Sequence, residues 1–249
     1  MIFLFRHPWF RIVPIIVLSV TCAMSLAPVI GKAAQESNEA AAHLQRAADA
    51  MATLNAFHFE LSTVEGKTQF MENLELSGLE GDVQRPDRFQ ASVTAKAAII
   101  ELTVKVVGIG DEVWVTDPMS SEERWIALDV GDATGSDRPL TDLLNPDRIL
   151  LEAVNLIEAP TVAGEEEIDG TNTTQIDGMV DLSRLQQAGT PAATVAAGQL
   201  IPVSIWIDDE GFVRRLEIEG ALTAAETPDV VRRLDLSGFD QEITIEAPI

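Results

Sequence analysis

Ile100-Glu101-Leu102-Thr103-Val104-Lys105-Val106 alternates apolar and polar side chains over seven positions. Successive strand side chains point to opposite faces, so this run has one face to bury and one for water. The pattern recurs on both sides. Phe57-His58-Phe59-Glu60-Leu61-Ser62 and Phe89-Gln90-Ala91-Ser92-Val93 precede it, and Val203-Ser204-Ile205-Trp206-Ile207-Asp208 follows much later. Shorter strand-like runs are Asp111–Thr116, Arg124–Leu128, 161–169, 171–177, Phe212–Gly220, Leu234–Ser237 and Ile243–Ile245. Asp169-Gly170, Asp177-Gly178 and Asp209-Glu210-Gly211 supply turn signals. The alternation predicts a curved antiparallel sheet of roughly eight to eleven strands with one wet side, in an α+β single domain.

Two helical regions interrupt this pattern. Leu44, Ala47, Ala48, Met51 and Leu54 recur at helical spacing, after Ser37 or Asn38 as a cap. Pro139–Leu144 and Asp147–Ile157 are leucine-rich and recur mostly at spacings of three and four. A further short helix and then a loop are expected across 181–200. These helices are expected on one face of the sheet only.

The chain of 249 residues has 17 Lys+Arg against 40 Asp+Glu, a net charge of −23. A surface that acidic repels phosphate, which argues against nucleic acid and weakens electrostatic attraction to anionic lipid. One Cys excludes an internal disulfide and a cysteine zinc site. No Gly-x-Ser-x-Gly, phosphate loop, His-Glu-x-x-His or EF-hand pattern occurs, so no catalytic residue, metal ligand or cofactor is assigned. Glu165-Glu166-Glu167 reads as a solvated loop edge and Asp208–Gly211 as a hairpin turn, not calcium ligands. His58, Trp114 and Trp206 fall on the polar phase of their strands. Arg214-Arg215 and Arg232-Arg233 are positive spots that could meet headgroups or a partner.

Residues 1–34 carry Arg6, Arg11 and Lys32 and no acid, and Ile12–Gly31 is uncharged. This reads as a signal peptide, or as a membrane anchor long enough to span. Residues 35–249 then form the body, outside the cytoplasm, membrane-associated or secreted. Cys22 is a candidate lipidation site, although Ser19 and Thr21 stand where a lipobox has an aliphatic and a small residue.

The order of these features resembles the LppX/LprA/LprF/LprG envelope lipoproteins. The residues that carry the resemblance are the leader, the opening helix, Phe57-His58-Phe59, Gly164–Thr171, Ile176-Asp177-Gly178, Val203–Asp208 with Trp206, and Leu234–Asp240 with Ile243–Pro248. The resemblance implies a strongly bent sheet, a half-barrel with helices on its concave face. It implies a non-catalytic carrier of acylated lipid or glycolipid in the cell envelope, and leaves a membrane transporter open as a partner. Alternation selects Phe59, Leu61, Phe89, Ala91, Val93, Leu102, Val104, Ile205 and Leu216 as the cavity wall. Leu143, Leu144, Leu150 and Val154 are expected to close it. A structural or interaction module with a filled core is the alternative reading. An enzyme acting on envelope lipid is disfavoured, because no His, Cys or Ser constellation is present.

Overall fold

The computed structural model describes residues 27–71, 74–120, 122–128, 154–187, 199–223 and 225–248, with side chains of the first helix from Ser37 onward. The leader up to residue 26 with Cys22, and Leu143, Leu144 and Leu150 of the leucine-rich helices, lie outside the described residues. The body from Glu36 to Ile249 is one compact unit.

Helix α1 (Ala27–Thr53) starts well before the expected cap at Ser37 or Asn38. Alanine is the strongest helix former and is frequent here, while Pro28 sits in the first turn, where its missing N–H costs nothing. Ala40, Leu44, Ala47 and Met51 fall on one stripe and are buried. That stripe packs on the sheet face that carries Phe57, Phe59, Phe89, Ile205 and Leu236.

Among the described residues twelve antiparallel strands follow: β1 (Ala56–Glu65), β2 (Thr68–Met71), β3 (Leu74–Gln84), β4 (Arg88–Ala97), β5 (Ile100–Ile109), β6 (Glu112–Thr116), β7 (Trp125–Leu128), β8 (Glu158–Ile168), β9 (Thr171–Asp181), β10 (Leu200–Asp208), β11 (Val213–Glu219) and β12 (Val231–Ser237). The order across the sheet is β7-β6-β5-β4-β3-β1-β12-β11-β10-β9-β8, with β2 on β3. Two meanders of adjacent strands therefore run outward from one long-range pairing, β1 with β12. Among the described residues the path does not close on itself. A short helix α2 (Leu182–Gln187) follows β9.

The sheet exceeds the expected strand count because β2 and β3 give no clean alternation. The register shifts between Leu76 and Gly78, so Leu76 and Leu79 stand three apart yet both turn to the apolar side. Three other expectations are corrected. Asp177-Gly178 makes no turn and lies inside β9. A methyl group at Gly178 would collide with Ile157 and stand 3.1 Å from the Glu158 carbonyl, so the glycine permits close approach there. Glu165-Glu166-Glu167 belongs to strand β8 rather than to a loop. Ile243–Ile245 forms no strand, although Ile245 is buried and its carbonyl accepts from Arg88 Nη1 at 2.7 Å.

The Asp208 turn is held by its own carboxylate. Oδ1 accepts from the Glu210 and Phe212 amides at 3.0 and 2.8 Å, and Oδ2 accepts from Arg214 Nε at 2.6 Å. Those bonds occupy the group that a calcium site would have used.

Candidate functional site

Cross-strand register sets which side chains share a face. Val162, Ile176, Ile205, Leu216, Leu234, Leu61, Leu79, Val93 and Val104 are successive partners across nine strands. This is an unbroken aliphatic row. Beside it runs a second row, Leu236, Phe59, Gly81, Ala91, Val106, Val115 and Ile126. Alternation and pairing bring all nine strand residues selected from the sequence onto this one face. Val154, selected from the leucine-rich helices, is buried within the same apolar cluster.

The face is unevenly covered. Phe57, Phe59, Val83, Phe89, Ile205 and Leu216 are buried. Leu61, Leu79, Ala91, Val93, Leu102 and Val104 are only half-buried. Part of the covering comes from the sheet itself. The Phe89 ring lies over Gly108 of the next strand, where a methyl group would strike its Cζ at 2.7 Å. Val154, Phe212 and Phe239 add to it, and so does α1. Met51 Sδ accepts from the Val213 amide at 3.4 Å, and Arg46 and Ala50 pack on Gly211. Among the described residues, helix α1 thus covers the end of the face where β1 begins; Leu79 packs on the edge of that cluster, while Val93, Leu102 and Val104 stand outside it.

A buried charged side chain, Arg232, lies on this face. Arg232 stands between Ile218 and Thr63 in register, with Leu234 two positions along. Arg232 and Glu226 form an almost wholly buried ion pair at 2.5 Å. Glu226 also accepts from the amides of Gln69, Leu222 and Thr223, and Arg232 donates to the Gly220 carbonyl. Burial pushes the Glu226 carboxyl up, but Arg232 and the Gln69 and Leu222 amides outweigh it and hold it below the usual glutamate range. The pair pins the Gly220–Val230 connection to β2.

The opposite face is polar and carries two concavities. A groove of about 400 Å³ is lined by His58, Asp82, Gln90, Ser92, Lys105 and Trp125 among others. Another of about 310 Å³ lies between Glu65, Ser204, Glu217 and Arg233. In the larger groove both Asp82 oxygens are engaged, by His58 Nδ1 and Gln90 Nε2 at 2.8 Å each. These bonds tie β1, β3 and β4 together on the polar face. Among the described residues no group of three metal-ligating side chains occurs.

Each of the four arginines singled out in the sequence holds a carboxylate. Arg214 pairs with Asp208, Arg215 with Asp235, Arg232 with Glu226 and Arg233 with Glu217, at 2.5–2.7 Å. Trp206 is on the polar face as its phase requires, yet it is buried. The Arg215 guanidinium lies 5.9 Å from its ring centre, and its Nε1 donates to Glu166 at 2.9 Å. Alternation assigns a face but cannot see long side chains folding over it.

The sequence missed Leu79 and Val83 of the apolar face, because the bulge at Ser77 and the small Gly81 hide the period of β3. The recoverable signal was the stretch Leu79-Glu80-Gly81-Asp82-Val83, in which every second residue is acidic.

Comparison with known proteins agrees with this architecture. The model of the LppX_LprAFG lipoprotein family matches residues 39–245. Lipoprotein LprA of Mycobacterium tuberculosis is 26% identical over 224 residues, covering 87% of this chain and 85% of LprA. The crystal structure of LprF from Mycobacterium bovis aligns with a TM-score of 0.60 at 20% identity, over 85% of this chain and 97% of LprF. The crystal structure of Mycobacterium tuberculosis lipoprotein LppX aligns at 0.54 with 18% identity, over 82% and 97%. These two likenesses show the fold: a large open antiparallel sheet with few helices.

Proposed function

Since the chain belongs to the LppX_LprAFG lipoprotein family, we propose that it is an exported cell-envelope protein that carries acylated lipid or glycolipid without catalysing a reaction. The observation that carries this reading is the nine-strand aliphatic row, half-buried around Leu61, Leu79, Val93 and Val104. A protein that needed only a filled core would gain by burying these side chains, each offering about 1.5–3 kcal/mol on full burial. An acyl chain laid along the row supplies the missing cover. In this reading the sheet bends into a half-barrel with α1 on its concave side. Leu143, Leu144, Leu150 and Val154 complete the wall, and residues 1–34 with Cys22 provide the membrane address.

The test is organic-solvent extraction of the purified full chain, followed by mass spectrometry. Acylated lipid is expected in the extract. Val104→Trp fills the half-buried strip and should deplete that lipid, while Thr103→Trp, on the opposite face, should leave it unchanged. An extract free of lipid, or equal lipid from both variants, would replace the carrier by an interaction module. Cys22→Ala addresses the anchor: release from membranes supports acylation, and unchanged association supports a spanning segment.

A further inference from the structure

The two ends of the sheet differ in chemistry. At the lower end, where β1 begins, the connections are Arg85-Pro86-Asp87, Gly110-Asp111, Asp169-Gly170 and Asp209-Glu210-Gly211. These are ordinary polar turn residues. Strands β1, β4 and β6 finish at the upper end, and β5 and β10 begin there. Six large hydrophobic residues are exposed among the described residues, and five of them sit at that upper end. They are Val64, Ile99, Ile100, Met119 and Leu200; the sixth, Ile126, is on edge strand β7. Ile99 is 94% and Met119 83% exposed.

The β4–β5 hairpin tip shows the choice most plainly. Ala97 pairs with Ile100, so Ala98 and Ile99 alone make the turn. Ala98 has a φ of +54°, a left-handed conformation that two-residue turns normally give to Gly, Asn or Asp. The chain places an alanine there and an isoleucine at the outermost point. These side chains gain no burial from the fold, and an apolar environment outside the molecule would give it to them.

We propose that the β4–β5 corner of the upper end docks on a lipid bilayer, with Ile99 and Ile100 inserted among the acyl chains and Met119, in the loop after the neighbouring strand β6, as the next contact. This rests on the carrier reading and deepens it. The tip continues into Leu102 and Val104 of the apolar face, so a lipid leaving the bilayer meets aliphatic side chains from the first step. A second protein is a poorer occupant. A specific protein interface takes roughly 800 Å² and about 20–30 residues per side, far more than five scattered side chains supply. The acidity of the chain fits an uncharged surface reached by apolar contact, so the bilayer is zwitterionic.

The experiment places a tryptophan at the tip. Full chains carrying Ile99→Trp or Asp209→Trp, the latter at the lower end, are mixed with phosphatidylcholine vesicles brominated in their acyl chains. The unsubstituted chain gives the baseline. Fluorescence added by Ile99→Trp should be quenched and should stay quenched at high salt, while that added by Asp209→Trp should not be. Ile99→Ser with Ile100→Ser should slow lipid transfer between vesicles about tenfold per isoleucine. Equal quenching at the two ends, or none at residue 99, overturns the proposal. A dimer in sedimentation that Ile99→Asp dissolves would assign the tip to a second copy and overturn it too. Quenching needs no bound cargo, and lipid extracted from the same preparation reports on the carrier reading by itself.

Discussion

The two halves of the apolar face have similar side chains but different surroundings. Around Phe59, Phe89 and Ile205 the face is sealed by α1, by aromatic rings and by neighbouring strands. Around Val93, Leu102 and Val104 equally aliphatic residues remain half-buried. Apolarity in a strand therefore does not say whether a position serves stability or a ligand. What decides is whether something within the chain covers it.

The sharpest way to break this contrast is truncation on both sides. Phe59→Ala should cost about 3–5 kcal/mol in denaturant unfolding, because a sealed site collapses poorly. Leu102→Ala should cost about 1 kcal/mol, because its side chain is already partly hydrated and lies outside the sealed cluster. Equal costs would mean that both halves are core.

The buried Arg232–Glu226 pair lies on the open side and gives the next effect. Glu226→Ala strands a buried cation and should cost about 3–5 kcal/mol. Its pH dependence has a definite sign. The folded value lies below the unfolded one, so the contribution is complete above the ordinary glutamate value near 4.5 and fades as pH falls below it. Amide protection across Gly220–Val230, taken relative to the intrinsic exchange rate at each pH, should fall on acidification through that range, and Glu226→Gln should abolish the change.

Overpacking separates the halves again at smaller cost. Ala91 adjoins Phe59 and the sealed cluster, so Ala91→Trp should lose about 1–3 kcal/mol or more. Val104→Trp should be nearly neutral for stability and felt in lipid content instead. Smallest is the tip turn. Ala98→Gly relieves a left-handed alanine and should raise stability by about 1 kcal/mol without changing lipid content.

How much of this could be read from the sequence depended on locality. Period-two alternation placed Phe59, Phe89, Val104 and Ile205 on a common face, because it is a property of six or seven consecutive residues. The same rule failed for β3, where one bulged residue shifts the phase, and for Gly178, whose role is set by Ile157 across the sheet. Sequence also treated Ala91 and Val104 as equivalent. Their difference arises from α1 and from the Phe rings, which reach these strands only in three dimensions. The single pairing of β1 with β12, which makes two meanders one sheet, has no local signal at all.

The most direct measurement of the claim that the half-buried strip holds acyl chains is affinity against chain length. Delipidated full chain would be titrated with a series of otherwise identical lipids. Each added methylene that reaches the strip should contribute about 0.8 kcal/mol, so affinity should climb roughly fourfold per carbon until the strip is filled. Val104→Trp should stop that climb at a shorter chain. An affinity indifferent to chain length, in the wild type and in Val104→Trp alike, would contradict the claim.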